Sequence, residues 1–376
     1  LFSVLAISWW LNFWLNLAIV DSSNWVPYGG AIWWHGHEML FGFGVAIVVG
    51  FLLTAVKTWT GVTGLSGLPL AGLTTIWLLG RVFIALGAGI HQWIIAIIDI
   101  SFLVFSAAAM AYPVFKVKQW RNLMFIPILL LLASLNGLSH WAVHSDDYLL
   151  ASKTLHATIM VFVLLISILG GRVIPFFTAN ATTTQRLPNI LLLDVLAILS
   201  ILILVALALL GFQQSDKVIL LIVSGVACVS NTWRFLRWGI QYTLKTPLLW
   251  SLHLSFIFIP FGFIFLVLFS LGVIGNISIV LHSFTLGAIG GMILAMISRV
   301  SLGHTGRPLK EPKIMKFAFA FILTAALTRT LVPVFFPAVL NQSILVSGIL
   351  WIASFGLYLY FYAPMLVTTR KDGRAG

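Results

Sequence analysis

The chain has 376 residues, 61% of them hydrophobic and only 8% Asp, Glu, Lys or Arg. That composition excludes a soluble globular domain, and at roughly 20 apolar residues per crossing it leaves room for about a dozen membrane spans. The formal net charge is +12, but its placement argues for membrane insertion and against a nucleic-acid partner.

Spans are expected near residues 2–20, 31–56, 70–88, 91–113, 122–143, 152–174, 188–210, 217–239, 248–271, 278–300, 314–336 and 344–366. The fold class is therefore all-α and polytopic, with about 12 transmembrane helices in a single domain covering residues 1–376. Of the 21 Lys and Arg, all but Arg81, Lys153, Lys217 and Arg329 fall in or beside alternate loops. These cations are Lys57; Lys116, Lys118 and Arg121; Arg172 and Arg186; Arg234, Arg237 and Lys245; Arg299, Arg307, Lys310, Lys313 and Lys316; and Arg370, Lys371 and Arg374. The loops between them carry Asp21, Asp146, Asp147 and Asp216. This is the positive-inside pattern of a chain with both termini in the cytoplasm. The chain opens on Leu1 in an apolar run with no charged region or A-x-A site before it, which reads as a first span with its leader residues missing rather than a signal peptide.

Span two carries Trp33-Trp34-His35-Gly36-His37-Glu38 at its outer end. At about 100° per residue His35 and His37 point to opposite sides of the helix, so each serves a different neighbour. Neutral imidazole is the commonest ligand for haem iron and copper, and both histidines are candidate ligands. Trp33 and Trp34 read as an aromatic belt, and Glu38 as a candidate proton relay. Span three contains Arg81, a guanidinium at a depth that demands an anion. Span four opens on His91, a candidate ligand or interface residue, and holds Asp99.

Near the outer end of span five, His140 and His144 are four residues apart and share a helix face, a spacing suited to one metal ion. His156 lies about a turn inside span six and is expected to complete a three-imidazole set with them. Asp194 sits at the inner end of span seven, and the lone Cys228 in span eight reads as a small buried hydrophobe. With one cysteine, an internal disulfide and a thiolate metal cluster are excluded. His253 in span nine reads as a satisfied core histidine. Span ten opens on His282, a candidate axial haem ligand. It also offers a small face of Gly287, Gly290 and Gly291 for a porphyrin or another helix, with Met292 and Met296 read as core packing. Span eleven carries Arg329, which with Arg81 is expected to hold haem propionates, the alternative being that both snorkel to the outer headgroups.

Seven of the nine histidines (all but His253 and His304) fall on the outer side, and three of them recur at regular intervals. His37 and His282 align without a gap to Thr60-Gly61 and Thr305-Gly306, with Gly42 matching Gly287. His156 opens a third, weaker copy. These histidines open spans two, six and ten, so the chain reads as three four-helix units, residues 1–120, 121–245 and 246–376, about a pseudo-threefold axis. Arg81 and Arg329 occupy the third helix of the first and last units.

The run His35-Gly-His-Glu-Met-Leu-Phe-Gly-Phe-Gly44, with Gly50-Phe-Leu-Leu-Thr-Ala55 and Trp59-Thr-Gly61, resembles the signature of the NnrS family. So do Gly171-Arg-Val-Ile-Pro-Phe-Phe-Thr178, His282-Ser-Phe-Thr-Leu-Gly-Ala-Ile-Gly-Gly-Met292 and Arg299-Val-Ser-Leu-Gly-His-Thr-Gly-Arg-Pro-Leu309. The resemblance implies a bacterial inner-membrane protein containing haem (of the b type) and copper, tied to nitric oxide metabolism and nitrosative stress. The architecture is also similar to the catalytic subunits of haem–copper oxidases and nitric oxide reductases. It departs from them in having no histidine on span seven, where those proteins carry an adjacent pair.

On that resemblance, His35, His37 and His282, with Arg81 and Arg329, are expected at haem, and His140, His144, His156 and His91 at the second metal. The enzyme implied is a haem–copper oxidoreductase that takes two nitric oxide molecules, two electrons and two protons to nitrous oxide and water. Its electron donor is not identified by the sequence. The competing readings are a metal or haem transporter and a non-catalytic haem sensor or assembly factor. A transporter should line the inner half of the path, where only His253 and His304 stand. A sensor with one haem leaves several histidines without a role.

Overall fold

The computed structural model describes residues 1–17, 25–87 and 89–373. Asp21 and Arg374, both used in the loop-charge reading, lie outside the described residues. Among those residues the chain is all helical. Its twelve main helices are α1 (Phe2–Leu15), α2 (Gly30–Thr60), α3 (Leu68–Leu86), α4 (Gln92–Lys116), α5 (Phe125–His144) and α6 (Tyr148–Thr182), followed by α7 (Leu191–Leu210), α8 (Lys217–Leu236), α9 (Pro247–Ser270), α10 (Ile277–His304), α11 (Met315–Phe335) and α12 (Leu340–Leu366). All but α1 are long and apolar enough to cross a membrane, giving 11 candidate spans, and α1 is a shorter apolar helix. The chain is a multi-pass membrane protein.

The helix ends follow local chemistry. Asp216 caps α8 by accepting from the amides of Val218 and Ile219, each at 2.9 Å, and Asn276 caps α10 through Ser278 N at 2.9 Å. Pro69 and Pro247 stand in the first turns of α3 and α9, where a missing N–H costs nothing. α6 runs past the expected end at residue 174, through Pro175 to Thr182, for 35 residues. A single proline forfeits one bond of so long a helix, and packed neighbours tolerate it.

The described residues fall into two compact units, residues 18–161 and residues 1–17 with 162–376. In the first, α4 packs against α2, α3 and α5. In the second, α8 packs against α7 and α9, α9 against α10, and α11 and α12 against each other, with α1 on α12.

Two helices depart from α geometry at matching places. In α2 a π-helical stretch covers Glu38–Gly44, immediately after His37. In α10 another covers Ser283–Gly290, immediately after His282. Such wide turns rotate the following side chains out of α register and concentrate at functional sites. The likeness extends to the far ends of both segments. Thr60 and Thr305 each bond back to the carbonyl four residues earlier at 2.7 Å, and Gly61 and Gly306 then turn left-handed at φ 70° and 67°. The matched histidines thus precede π stretches that hold the matched Gly42 and Gly287, and a Thr-Gly pair closes each segment. α6, which carries His156, is α-helical throughout.

Candidate functional site

In the unit of residues 18–161 seven polar side chains are buried together: His37, Glu38, Arg81, Asp99, Asn136, Ser139 and His140, none more than 5% exposed. Asp99 is their junction. Its Oδ1 pairs with Arg81 Nη2, and its Oδ2 accepts from Asn136 Nδ2 at 2.6 Å. The same Oδ2 lies 3.2 Å from His37 Nε2 and 3.2 Å from His140 Nε2. One nitrogen from each imidazole and one carboxylate oxygen thus converge, all within 4.8 Å of one another. Among the described residues this is the set of three such side chains close enough to hold one metal ion.

Partners behind the imidazoles fix their orientation. His37 Nδ1 donates to Glu38 Oε1 at 3.0 Å, and His140 Nδ1 stands 3.3 Å from the Tyr28 hydroxyl. Trp33 stacks on His37 with ring centroids 4.2 Å apart and donates its indole N–H to Ser139 Oγ at 2.8 Å. Burial pushes the Tyr28 phenol up to about 12, so it stays protonated beside His140.

The donor balance of the cluster asks for a cation. His37 Nε2 faces Asn136 Oδ1 at 2.9 Å as well as Asp99 Oδ2, and both are acceptors, while its Nδ1–H is already committed to Glu38. Glu38 and Asp99 contribute two negative charges against the single positive charge of Arg81. A further positive charge, a proton on His37 or a metal ion, satisfies both the lone pairs and the net charge.

Arg81 therefore finds its anions inside the protein, from Asp99 and from Glu38 at 2.5 Å. From the sequence a propionate is expected because neither Asp99 nor Asp194 serves both Arg81 and Arg329. The aromatic-belt reading of Trp33 and Trp34 is also corrected: they are 4% and 5% exposed, and Trp33 is a wall of the cluster.

The other expected metal residues are placed elsewhere. His144 is exposed, with Nδ1 2.6 Å from Gln92 Oε1 and its ring against Trp93. His91 is exposed and caps α4, accepting from Trp93 N at 3.4 Å. His156 is half-buried on α6 and lies outside the convergent set, as does His35, which is half-buried one position beyond the Trp33–Trp34 pair. The i,i+4 pair of His140 and His144 is thus divided, the first turned inward to Asp99 and the second outward to Gln92.

In the unit of residues 1–17 and 162–376, His282 Nδ1 donates to the Ser278 carbonyl at 2.7 Å, which leaves the lone pair on Nε2, as in metal-ligating histidines. Arg329 is 7% exposed and donates from Nη2 to Ser278 Oγ at 3.2 Å. The glycine face of α10 is filled by side chains: Gly287 lies against Phe258, Gly290 against Trp351 and Gly291 against Ser255. Asp194 pairs with Arg234 Nε at 2.7 Å, and His253 sits fully buried on Thr178 Oγ1 at 2.9 Å. Cys228 is half-buried, 3.6 Å from the Pro260 carbonyl.

Asn136, Tyr28 and Ser139 were not anticipated. Asn136 had a signal, because it precedes His140 by four residues and so shares its face. Tyr28 lies in the segment before α2 and carried none.

The model of the NnrS protein family matches residues 1–370. No curated protein matches the chain.

Proposed function

The chain belongs to the NnrS family, and on that premise we propose that it is a haem- and copper-containing protein of the bacterial inner membrane that binds and disposes of nitric oxide. The loop charges support a cytoplasmic position for both termini. The observation that carries the reading is the convergence of His37 Nε2, His140 Nε2 and Asp99 Oδ2 in a fully buried, net-negative cluster. Two imidazole nitrogens and a carboxylate oxygen fit a first-row transition metal, copper and iron included. Partners on the opposite ring nitrogens are what ligating histidines require. Copper is assigned to this set, and haem iron to His282, whose Nδ1 is held by the Ser278 carbonyl as in ligating histidines.

When bound, copper would supply a redox-active coordination position for nitric oxide. The residues do the rest. Asp99 holds the two imidazoles together, and Arg81 pairs with both Asp99 and Glu38. Trp33 stacked on His37 excludes water. Glu38 Oε2 is buried and makes no hydrogen bond, so Glu38 can hold a proton there while Oε1 stays on Arg81 and His37.

The test is iron and copper analysis of the purified full chain with an optical spectrum before and after anaerobic nitric oxide. The reading expects both metals, copper lost in His37→Ala, and a spectral change on adding the gas. A protein purified from metal-replete cells with neither metal would overturn it.

A further inference from the structure

The two π-interrupted helices, each with its π stretch directly after the matched histidine, differ in the residue that follows that histidine. In α2 the residue after the histidine is Glu38, and it pairs with the arginine of the third helix of its unit, Arg81. In α10 the corresponding residue is Ser283, and α9 to α12 contain no Asp or Glu at all. Arg329, the counterpart of Arg81, is nevertheless just as deeply placed, 7% exposed against 4%. Among the described residues no ion pair reaches it. Its Nη2 bonds the Ser278 hydroxyl, and its Nη1 is buried with no hydrogen-bond partner. A buried guanidinium without a counter-ion is too costly to be kept idle.

Ser278 Oγ lies 3.2 Å from Arg329 Nη2 and 3.2 Å from His282 Nδ1, so arginine, hydroxyl and imidazole form one row. A guanidinium presents paired N–H donors in a planar fork that matches two oxygens of a carboxylate or a small oxyanion.

We propose that Arg329 and Ser278 form a binding site for an oxygen anion supplied from outside the chain, filling the place that Glu38 takes beside Arg81. The anion is either the carboxylate of a larger ligand seated by His282 or a small free oxyanion. The first source rests on the haem assignment above, whereas the anion site itself does not.

The decisive variant is Ser278→Asp, which brings an internal carboxylate to Arg329. Aspartate is also favourable in the first turn of α10, so the chain should fold. Arg329→Gln removes the fork instead. Full-length protein in detergent is titrated with formate and with nitrite at constant ionic strength, and thermal stability is read. In parallel, ferric protoporphyrin is compared with its dimethyl ester, which has the same ring and no carboxylates. A charge-assisted pair of hydrogen bonds should make wild type prefer the dicarboxylate by about tenfold or more if a larger ligand is the source. A saturable rise in melting temperature with formate or nitrite, without porphyrin preference, identifies the free anion.

In Ser278→Asp and Arg329→Gln both responses should vanish. Wild type with neither response, or a Ser278→Asp variant that behaves like wild type, overturns the proposal. Copper content separates this outcome from failure of the metal reading, because Ser278→Asp leaves His37, Asp99 and His140 untouched.

Discussion

Asp99→Asn changes almost no volume but removes the charge at which Arg81, Asn136, His37 and His140 meet. Breaking a buried ion pair by deleting one partner costs about 3–5 kcal/mol. Arg81 keeps Glu38 at 2.5 Å, so the lower end, about 3 kcal/mol, is expected. At roughly 2–4 °C per kcal/mol, melting should fall by about 6–12 °C. The same change removes the only anionic ligand atom of the convergent set, and metal affinity should drop by more than about a hundredfold, beyond what loss of an orienting partner causes. Thermal unfolding and copper analysis of the purified variant read both effects. Asp194→Asn is the matched control: it breaks the Arg234 ion pair and should destabilise while leaving copper unchanged. If Asp99→Asn melts like wild type and keeps its metal, the cluster is not organised as described.

Glu38→Gln keeps the size of the side chain that orients His37 but removes its charge, and should weaken metal binding by about 10–100-fold, measured by competition with a chelator. His144→Ala removes an exposed ring resting on Gln92 and should keep its metal, with stability within about 0.5 kcal/mol of wild type by thermal unfolding. Gly290→Ala would set a Cβ 2.5 Å from the Trp351 ring. It should destabilise by about 1–3 kcal/mol through overpacking, with copper content retained.

The helix order was legible because each span is a long apolar run broken by turn residues. His37 as an inward ligand candidate was legible too, since a charged or polar group at depth needs a partner. What could not be read was the direction in which each polar residue points. In helices that are apolar all round, periodicity does not distinguish the face that meets a neighbouring helix from the face that meets lipid. By spacing alone His140 pairs with His144, four residues after it, whereas the residue that shares its Asp99 partner is Asn136, four residues before. The partnership of Arg81 with Asp99 joins two helices through tertiary packing, and no local spacing announces it. The π turns are equally silent in sequence, although the glycines within them, Gly42 and Gly287, mark where they fall.

The central claim is that His37, His140 and Asp99 hold one metal ion. It is tested most directly by copper and iron analysis of wild type beside His37→Ala, His140→Ala and His144→Ala, purified identically. Stoichiometric copper is expected in wild type and in His144→Ala, and its loss in the other two with haem retained. Copper that survives His37→Ala and His140→Ala but disappears with His144→Ala would contradict it.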